Sequence, residues 1–122
     1  MSTPVGPYSP IVRAGSWLIC SGQLGVAPGP DGAPALVDGG PGPQLARAVA
    51  NAAGLLESAG ASLSDVVKTT VFATDAADFP VVNEAYVGAF GDHRPARSMV
   101  AVSALPMGAA VEIEVWAHHD PS

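Results

Sequence analysis

Two charged side chains in the sequence have types and positions that suit chemistry on a small carboxylic acid. Arg97 follows Pro95 and Ala96 and opens a predicted strand, and its guanidinium stays charged at any working pH and can bind a carboxylate through two hydrogen bonds. Glu112 shares one face of the last predicted strand with Glu114, and a carboxylate there, enclosed by a partner subunit, can act as a general base toward water. Plainer interpretations stay open for both, namely a surface ion-pair arginine and a solvated polar sheet face.

Other catalytic chemistries lack the residues that they need. The single cysteine, Cys20, falls inside an apolar strand, which favours a buried and unreactive thiol, and neither Ser21 nor Ser98 has a histidine indicated beside it. His118 and His119 are adjacent in a strand and therefore point to opposite faces. The sequence has no HExxH, CxxC, GxGxxG or Walker A pattern. We expect no covalent nucleophile, metal site or nucleotide-binding loop.

The elements that must position Arg97 and Glu112 follow from hydrophobic periodicity. The predicted elements are, in chain order, strand 11–13, strand 16–21, helix 44–59, strand 66–74, helix 79–90, strand 98–104 and strand 111–118. The last strand is the clearest, because every second residue from Val111 to Ala117 is apolar. Gly60 is placed to end the first helix and Asp78 to cap the second.

This order of elements predicts a single α+β domain over residues 1–122, with two helices packed on one face of a mixed β-sheet. The chain offers no third helix for the opposite face, so we expect another copy of the chain to cover it. Gly and Pro are abundant, and twelve of them lie between Gly22 and Pro43. We interpret this segment as one long loop, which is either functional or simply solvated.

Charge and composition indicate which classes of binding partner and which cellular compartment to expect. Eleven Asp and Glu residues against five Lys and Arg give a net charge of -6, and only Arg94 and Arg97 lie close together, so nucleic acid is disfavoured as a partner. No apolar run approaches the length of a membrane span, and no cationic start precedes an apolar run as in a signal peptide. With one cysteine and no internal disulfide to form, we expect a cytoplasmic protein without membrane contact.

Six short motifs occur along the chain in a fixed order. They are Gly6–Pro10 (GPYSP), Cys20–Gln23 (CSGQ), Asp65–Phe72 (DVVKTTVF), Asp78–Phe79 with Val82–Glu84 (DF and VNE), Pro95–Ser98 (PARS) and Val111–Glu114 (VEIE). In this combination, and over essentially the whole chain from Gly6 to Ala117, the sequence closely resembles the Rid family of reactive-intermediate imine deaminases. These proteins are also called YjgF-like and were once labelled endoribonuclease L-PSP.

The resemblance implies both an architecture and a reaction. The architecture is a chorismate-mutase-like α+β fold assembled as a homotrimer, with an inner barrel of sheets, helices outside, and active sites in the clefts between subunits. The reaction is hydrolysis of 2-aminoacrylate, 2-iminobutyrate and related enamine or imine acids to 2-keto acids and ammonia. It needs no metal and no organic cofactor.

The resemblance also implies roles for individual residues. Arg97 matches the arginine that binds the substrate carboxylate, and Glu112 matches the glutamate that activates or orients the attacking water. Tyr8, Ser21 and Asn83 match residues of the substrate pocket.

Three features depart from the family pattern. Met99 stands two residues after the arginine, where many imine deaminases carry cysteine, and it predicts a bulkier and more apolar substrate pocket. Arg94 takes the place of an aromatic residue, and the loop over 91–93 is shorter than in many relatives. Two alternative functions stay open: a non-catalytic trimer that binds small carboxylates or has a regulatory task, and the less favoured endoribonuclease.

Overall fold

The computed structural model describes residues 6–121. Its regular elements are, in chain order, β1 (Ile11–Ala14), β2 (Trp17–Cys20), β3 (Gln23–Leu24), β4 (Val26–Pro28), β5 (Pro34–Leu36), α1 (Pro41–Ser58), β6 (Val66–Ala73), α2 (Phe79–Phe90), β7 (Ala96–Ala101) and β8 (Val111–His118). Both predicted helices and all five predicted strands are present. The prediction of an α+β domain with a mixed sheet is therefore confirmed.

The main sheet has the strand order β1-β2-β8-β6-β7, and β3 pairs with β8 beside β2. All its strand pairs are antiparallel except β6 and β7, which run parallel. A parallel pair needs a crossover connection, and α2 provides it, since it lies between β6 and β7 in the chain. The strand that carries Arg97 is therefore an edge strand with α2 beside it, whereas β8 with Glu112 lies in the interior of the sheet.

The alternation of β8 defines two different faces of the sheet. One face of β8 is fully buried and consists of Val111, Ile113, Val115 and Ala117. The helices pack on this face and contribute most of the remaining core, including Leu45, Val49, Ala52, Leu55, Leu56, Val82, Tyr86 and Phe90. Burial of apolar side chains of this size is the main favourable term in folding, at about 1.5–3 kcal/mol for each large aliphatic residue.

We call the other side of the sheet the open face. Its large apolar side chains remain accessible in the protomer, with Val12 50%, Trp17 41%, Val100 43% and Trp116 40% exposed. Trp17 and Trp116 form an edge-to-face pair with ring centroids 6.2 Å apart. An exposed apolar patch of this kind is typical of an interaction surface. Within residues 6–121, no helix is long and apolar enough to cross a membrane.

Helix α1 ends where the sequence predicts, but it begins earlier than predicted. Gly60 has a φ of +87°, and the N–H groups of Gly60 and Ala61 donate to the carbonyls of Glu57 and Leu56, which is the Schellman arrangement. The predicted stop at Gly60 is thus confirmed. The helix begins at Pro41 rather than at residue 44, because proline is tolerated in a first turn whose N–H groups have no helical acceptor.

The predicted cap of α2 at Asp78 is wrong. The Asp78 backbone is already helical and its side chain makes no capping hydrogen bond. Asp75, with an extended backbone, instead accepts a hydrogen bond from the Ala77 N–H at 2.9 Å. The 3-10 turn that begins there runs directly into α2. An extended conformation is what lets a short polar side chain fold back onto the helix.

The interpretation of residues 22–43 as one long loop is also wrong. The segment contains β3, the β4–β5 hairpin and the first residues of α1. Strands of two or three residues are too short to show alternation, and distant partners hold them. The Asn51 side-chain amide on α1, for example, donates to the carbonyls of Leu24 and Val26 at 3.0 Å.

Gly25 shows how closely this segment approaches α1. A Cβ atom at Gly25 would lie 2.3 Å from the Gln44 carbonyl oxygen. Because that obstacle is backbone, only glycine lets the chain pass over the start of the helix.

The predicted strand 98–104 starts earlier and ends earlier than its apolar residues suggested. β7 spans Ala96–Ala101 and pairs in parallel with Lys68–Ala73 of β6. Its limits are set by this non-local pairing rather than by its own hydropathy. Arg97 consequently lies inside the strand, where its side chain is assigned to one definite face of the sheet.

Candidate active site

Arg97 lies on the helix-covered side of the edge strand β7. Its register partner on β6 is Thr69, which is fully buried in the core, and paired residues project from the same face of a sheet. The Arg97 Cζ atom lies 4.8 Å from the centroid of the Tyr86 ring on α2. This distance is that of a cation–π contact, and the rest of the guanidinium is exposed at the edge of the sheet.

Arg97 is also the cation with the fewest polar partners in the described chain. Arg13, Arg47 and Arg94 donate to backbone carbonyls of their own chain, and Lys68 donates to the Ser98 hydroxyl. Across residues 6–121 the Arg97 guanidinium has the Tyr86 ring against it and neither a hydrogen bond nor a carboxylate within 4.0 Å. Its N–H groups are therefore free to bind an anion that is not part of this protomer.

Met99 and Asn83 lie on β7 and α2, the two elements that bring Arg97 and Tyr86 together. Met99 is two residues after Arg97 on β7, faces the same side of the sheet, and packs partly buried against the core. Asn83 is exposed on α2, one turn before Tyr86. We call Arg97, Tyr86, Met99 and Asn83 the Arg97 cluster.

Glu112 lies on the open face of the sheet. Its register partners are Leu24 on β3 and Phe72 on β6, so apolar residues flank it on both sides. Its carboxylate packs onto the backbone of Gly22, where an added Cβ would lie 2.5 Å from Oε2. Glycine at position 22 is therefore what makes room for the Glu112 side chain.

This environment raises the pKa of the Glu112 carboxyl above its ordinary value of 4.5. The first cause is desolvation, because burial disfavours the charged form, and the second is repulsion by Glu114 on the same face. A carboxylate with a raised pKa is a stronger base than an ordinary one. These properties fit a group that takes a proton from water.

Ser21 and Tyr8 belong to the same end of the molecule as Glu112. The Ser21 hydroxyl donates to the Ser9 carbonyl at 2.6 Å, and the Ser21 N–H donates to the Pro10 carbonyl at 2.9 Å. These bonds tie the segment that carries Tyr8 to the residue next to Gly22. Tyr8 itself is 46% exposed. We call Glu112, Gly22, Ser21 and Tyr8 the Glu112 cluster.

The two clusters lie on opposite faces of the sheet. The structure brings Arg97 together with Met99, and Glu112 with the Ser21–Gly22 segment, but it does not bring Arg97 and Glu112 to one side of a protomer. Sequence reasoning missed Tyr86 and the contact of Gly22 with Glu112. The available signals were a hydroxyl-bearing aromatic in a core position and the glycine of the CSGQ motif.

The remaining reactive side chains do not extend either cluster. Cys20 is buried, as predicted, and burial raises the pKa of its thiol to about 11. His118 is exposed on the open face against the Trp17 ring, whereas the His119 ring lies near Gly60 at the end of α1. Among residues 6–121, no group of three or more His, Cys, Asp or Glu side chains is arranged to hold a metal ion.

Fold and site together define a class of protein. Over the described residues 6–121 it is a small α+β domain whose sheet is covered by helices on one face only, with an arginine at the sheet edge that has no polar partner there, and a partly buried glutamate on the open face. The sequence profile of the family described as Endoribonuclease L-PSP matches residues 1–119 of the chain. The protein therefore belongs to this family, the Rid or YjgF-like family.

Individual relatives agree with this assignment. The human 2-iminobutanoate/2-iminopropanoate deaminase is 39% identical over 117 residues, which cover 96% of this chain and 83% of the human protein. The crystal structure of RidA from an Antarctic Psychrobacter is 40% identical with a TM-score of 0.86, covering 95% of this chain and 91% of that one. The YjgF gene product of E. coli is 37% identical with a TM-score of 0.85, covering 94% and 90% of the two chains.

Proposed function

We propose that the protein hydrolyses reactive enamine and imine acids of the 2-aminoacrylate and 2-iminobutyrate type to 2-keto acids and ammonia. The observation that carries this proposal is the pair of clusters: a guanidinium without a polar partner among residues 6–121, and a partly buried glutamate packed against Gly22, whose pKa is raised by burial. The first suits a substrate carboxylate, and the second suits activation of water. The deaminase names of mammalian relatives about 39% identical to this chain support the same reaction.

In the proposed reaction, the Arg97 guanidinium binds the substrate carboxylate through two hydrogen bonds and so orients the adjacent imine carbon. Glu112 takes a proton from water as the water oxygen forms a bond to that carbon and the C=N π bond opens, and it passes this proton to the imine nitrogen. In the resulting carbinolamine, Glu112 takes the hydroxyl proton as the carbonyl forms, and the amino group accepts that proton and leaves as ammonia. One water is consumed and one ammonia is released for each 2-keto acid.

The proposal requires more than one copy of the chain, because the two clusters face opposite sides of one sheet. We propose a homotrimer in which the open face of one subunit meets the β7 edge of its neighbour, so that the Arg97 cluster of one and the Glu112 cluster of the other line one cleft. Tyr8, Ser21, Asn83 and Met99 would then contact the substrate. The exposed apolar side chains of the open face support such an assembly.

The proposed setting is the cytoplasm. The single cysteine is buried and unpaired, which suits a reducing compartment. The role would be removal of unstable imine acids that other enzymes release.

The test is to generate 2-aminoacrylate or 2-iminobutyrate in situ with a dehydratase and to follow keto-acid release. We expect a rate well above that of spontaneous hydrolysis, abolished by Arg97→Ala. Tight binding of 2-oxobutanoate with no acceleration would instead favour the non-catalytic binding protein. RNA cleavage by the highly purified protein, lost in Arg97→Ala, would favour the endoribonuclease, which the net charge of -6 disfavours.

A further inference from the structure

We propose that Tyr86 is a positioning residue for Arg97: its ring holds the guanidinium in the orientation in which it receives the substrate carboxylate. The inference rests on the proposed function only in naming a carboxylate as the ligand. The contact itself belongs to the protomer and can be measured without any substrate.

The contact with the ring leaves the hydrogen-bonding part of the guanidinium available. The Arg97 Cζ atom lies over the Tyr86 ring at 4.8 Å from its centroid. A cation–π contact at this distance attracts the charge of the guanidinium to the face of the ring, and the ring offers its five N–H groups no oxygen acceptor. The ring therefore holds the group in place while its donors remain available for a carboxylate.

Tyr86 is itself firmly held. It is 5% exposed, its hydroxyl lies 2.8 Å from the Thr69 Oγ1 atom, and its ring packs on Phe90 at 4.6 Å between centroids. Thr69 is fully buried on β6 and is the register partner of Arg97 on β7. Thr69 on β6 thus contacts the Tyr86 hydroxyl, and Arg97 on the neighbouring strand β7 contacts the Tyr86 ring, which α2 positions.

The other cations of the chain show why Arg97 needs such a support. Each of them is oriented by hydrogen bonds to its own chain, whereas Arg97 makes none within the part of the chain that the structure describes. A free arginine side chain samples many rotamers, and ordering it on binding lowers affinity. A ring that orders the guanidinium beforehand removes part of this cost, and the charge stays available for the ligand.

The experiment compares three variants of the full-length protein. Tyr86→Leu removes the ring, Tyr86→Phe keeps the ring and removes the hydroxyl, and Val49→Ala is the control that loses core packing on the other helix, α1. For Tyr86→Leu we expect KM for the imine and Kd for 2-oxobutanoate to rise about 3- to 10-fold, with kcat within about twofold of wild type. Tyr86→Phe should restore values near wild type. Equal rises in Tyr86→Leu and Val49→Ala would overturn the proposal, because they would indicate general loss of packing.

A second measurement works without substrate. The Nε–H signal of Arg97, assigned by its loss in Arg97→Lys, should show an upfield ring-current shift and restricted motion in the wild type and in Val49→Ala. Both features should disappear in Tyr86→Leu. A mobile, unshifted Arg97 signal in the wild type would overturn the proposal, whether or not the protein hydrolyses imines. Absence of imine hydrolysis with the expected Arg97 signal would count against the proposed function alone.

Discussion

Arg97 and Glu112 lie on opposite faces of one β-sheet. Arg97 is paired with the buried Thr69 on the helix-covered side, and Glu112 is paired with Phe72 on the open face. Within a protomer these two side chains cannot act on the same small molecule. If both are needed, each site must combine residues from two copies of the chain.

Mixing two inactive variants tests this arrangement directly. We expect Arg97→Ala and Glu112→Gln to be inactive separately and to regain activity when they are unfolded together and refolded. In a cyclic trimer, each mixed assembly has one cleft with an intact Arg97 and an intact Glu112. Random assembly of equal amounts should therefore restore roughly a quarter of the wild-type activity. No recovery in mixed trimers that are verified by mass would show that both residues come from one chain.

Substitution of Arg97 should weaken carboxylate binding specifically. Arg97→Lys keeps the charge but loses the planar fork, and Arg97→Ala loses both. For Arg97→Ala we expect a loss of about 2–5 kcal/mol in binding of 2-oxobutanoate, measured by calorimetry. Arg94→Ala is the matched control, since Arg94 donates to the Gly91 and His93 carbonyls of its own loop. An equal loss in Arg94→Ala would indicate a general effect of positive charge.

Glu112 should make the folded protein less stable as the pH rises. Its pKa is raised in the folded chain, so the folded state binds more protons than the unfolded state in this pH range. The contribution of this carboxyl to the free energy of unfolding is therefore fully present below pH 4.5 and is lost as the pH rises above that value. Thermal unfolding should therefore show Glu112→Gln equal in stability to wild type below pH 4.5 and more stable than wild type at neutral pH.

The same variant tests the proposed role of Glu112 in catalysis. Its activity should fall about 10²- to 10⁴-fold relative to wild type, as expected for loss of a general base.

Glu114→Gln serves as the control for this prediction. It removes the repulsion that contributes to the raised pKa of Glu112, so the acid limb of the kcat/KM profile should move to lower pH while activity at neutral pH is kept. If the acid limb of the kcat/KM profile does not move in Glu114→Gln, then a group other than Glu112 is responsible for it.

Gly22→Ala should reduce catalysis by displacing the Glu112 carboxylate. The new Cβ would lie 2.5 Å from Oε2, the end of a side chain that can move away. We expect kcat to fall at least tenfold with only a small change in Tm. The matched control is Gly54→Ala on α1, where a Cβ meets nothing within 4 Å, and which should raise stability by about 0.5–1 kcal/mol without affecting kinetics. Unchanged kcat in Gly22→Ala would remove the argument that this contact positions Glu112.

Local signals in the sequence were sufficient for much of the fold. The alternation from Val111 to Ala117 predicted the buried face of β8, and Gly60 predicted the end of α1. Both signals lie in residues a few positions apart and can be recognised in the sequence, although the helices that bury this face of β8 come from distant parts of the chain. The same holds for the thiol of Cys20, whose burial followed from the apolar run around it.

The sequence by itself determined the α+β class, the family and the candidate residues Arg97 and Glu112. Only the tertiary structure decided which face each of them occupies. β7 has no clear alternation of buried and exposed residues, and a register shift of one residue would move Arg97 to the other face. Its pairing with β6 settles that choice, and the same non-local packing brings Tyr86 under Arg97 and Gly22 against Glu112.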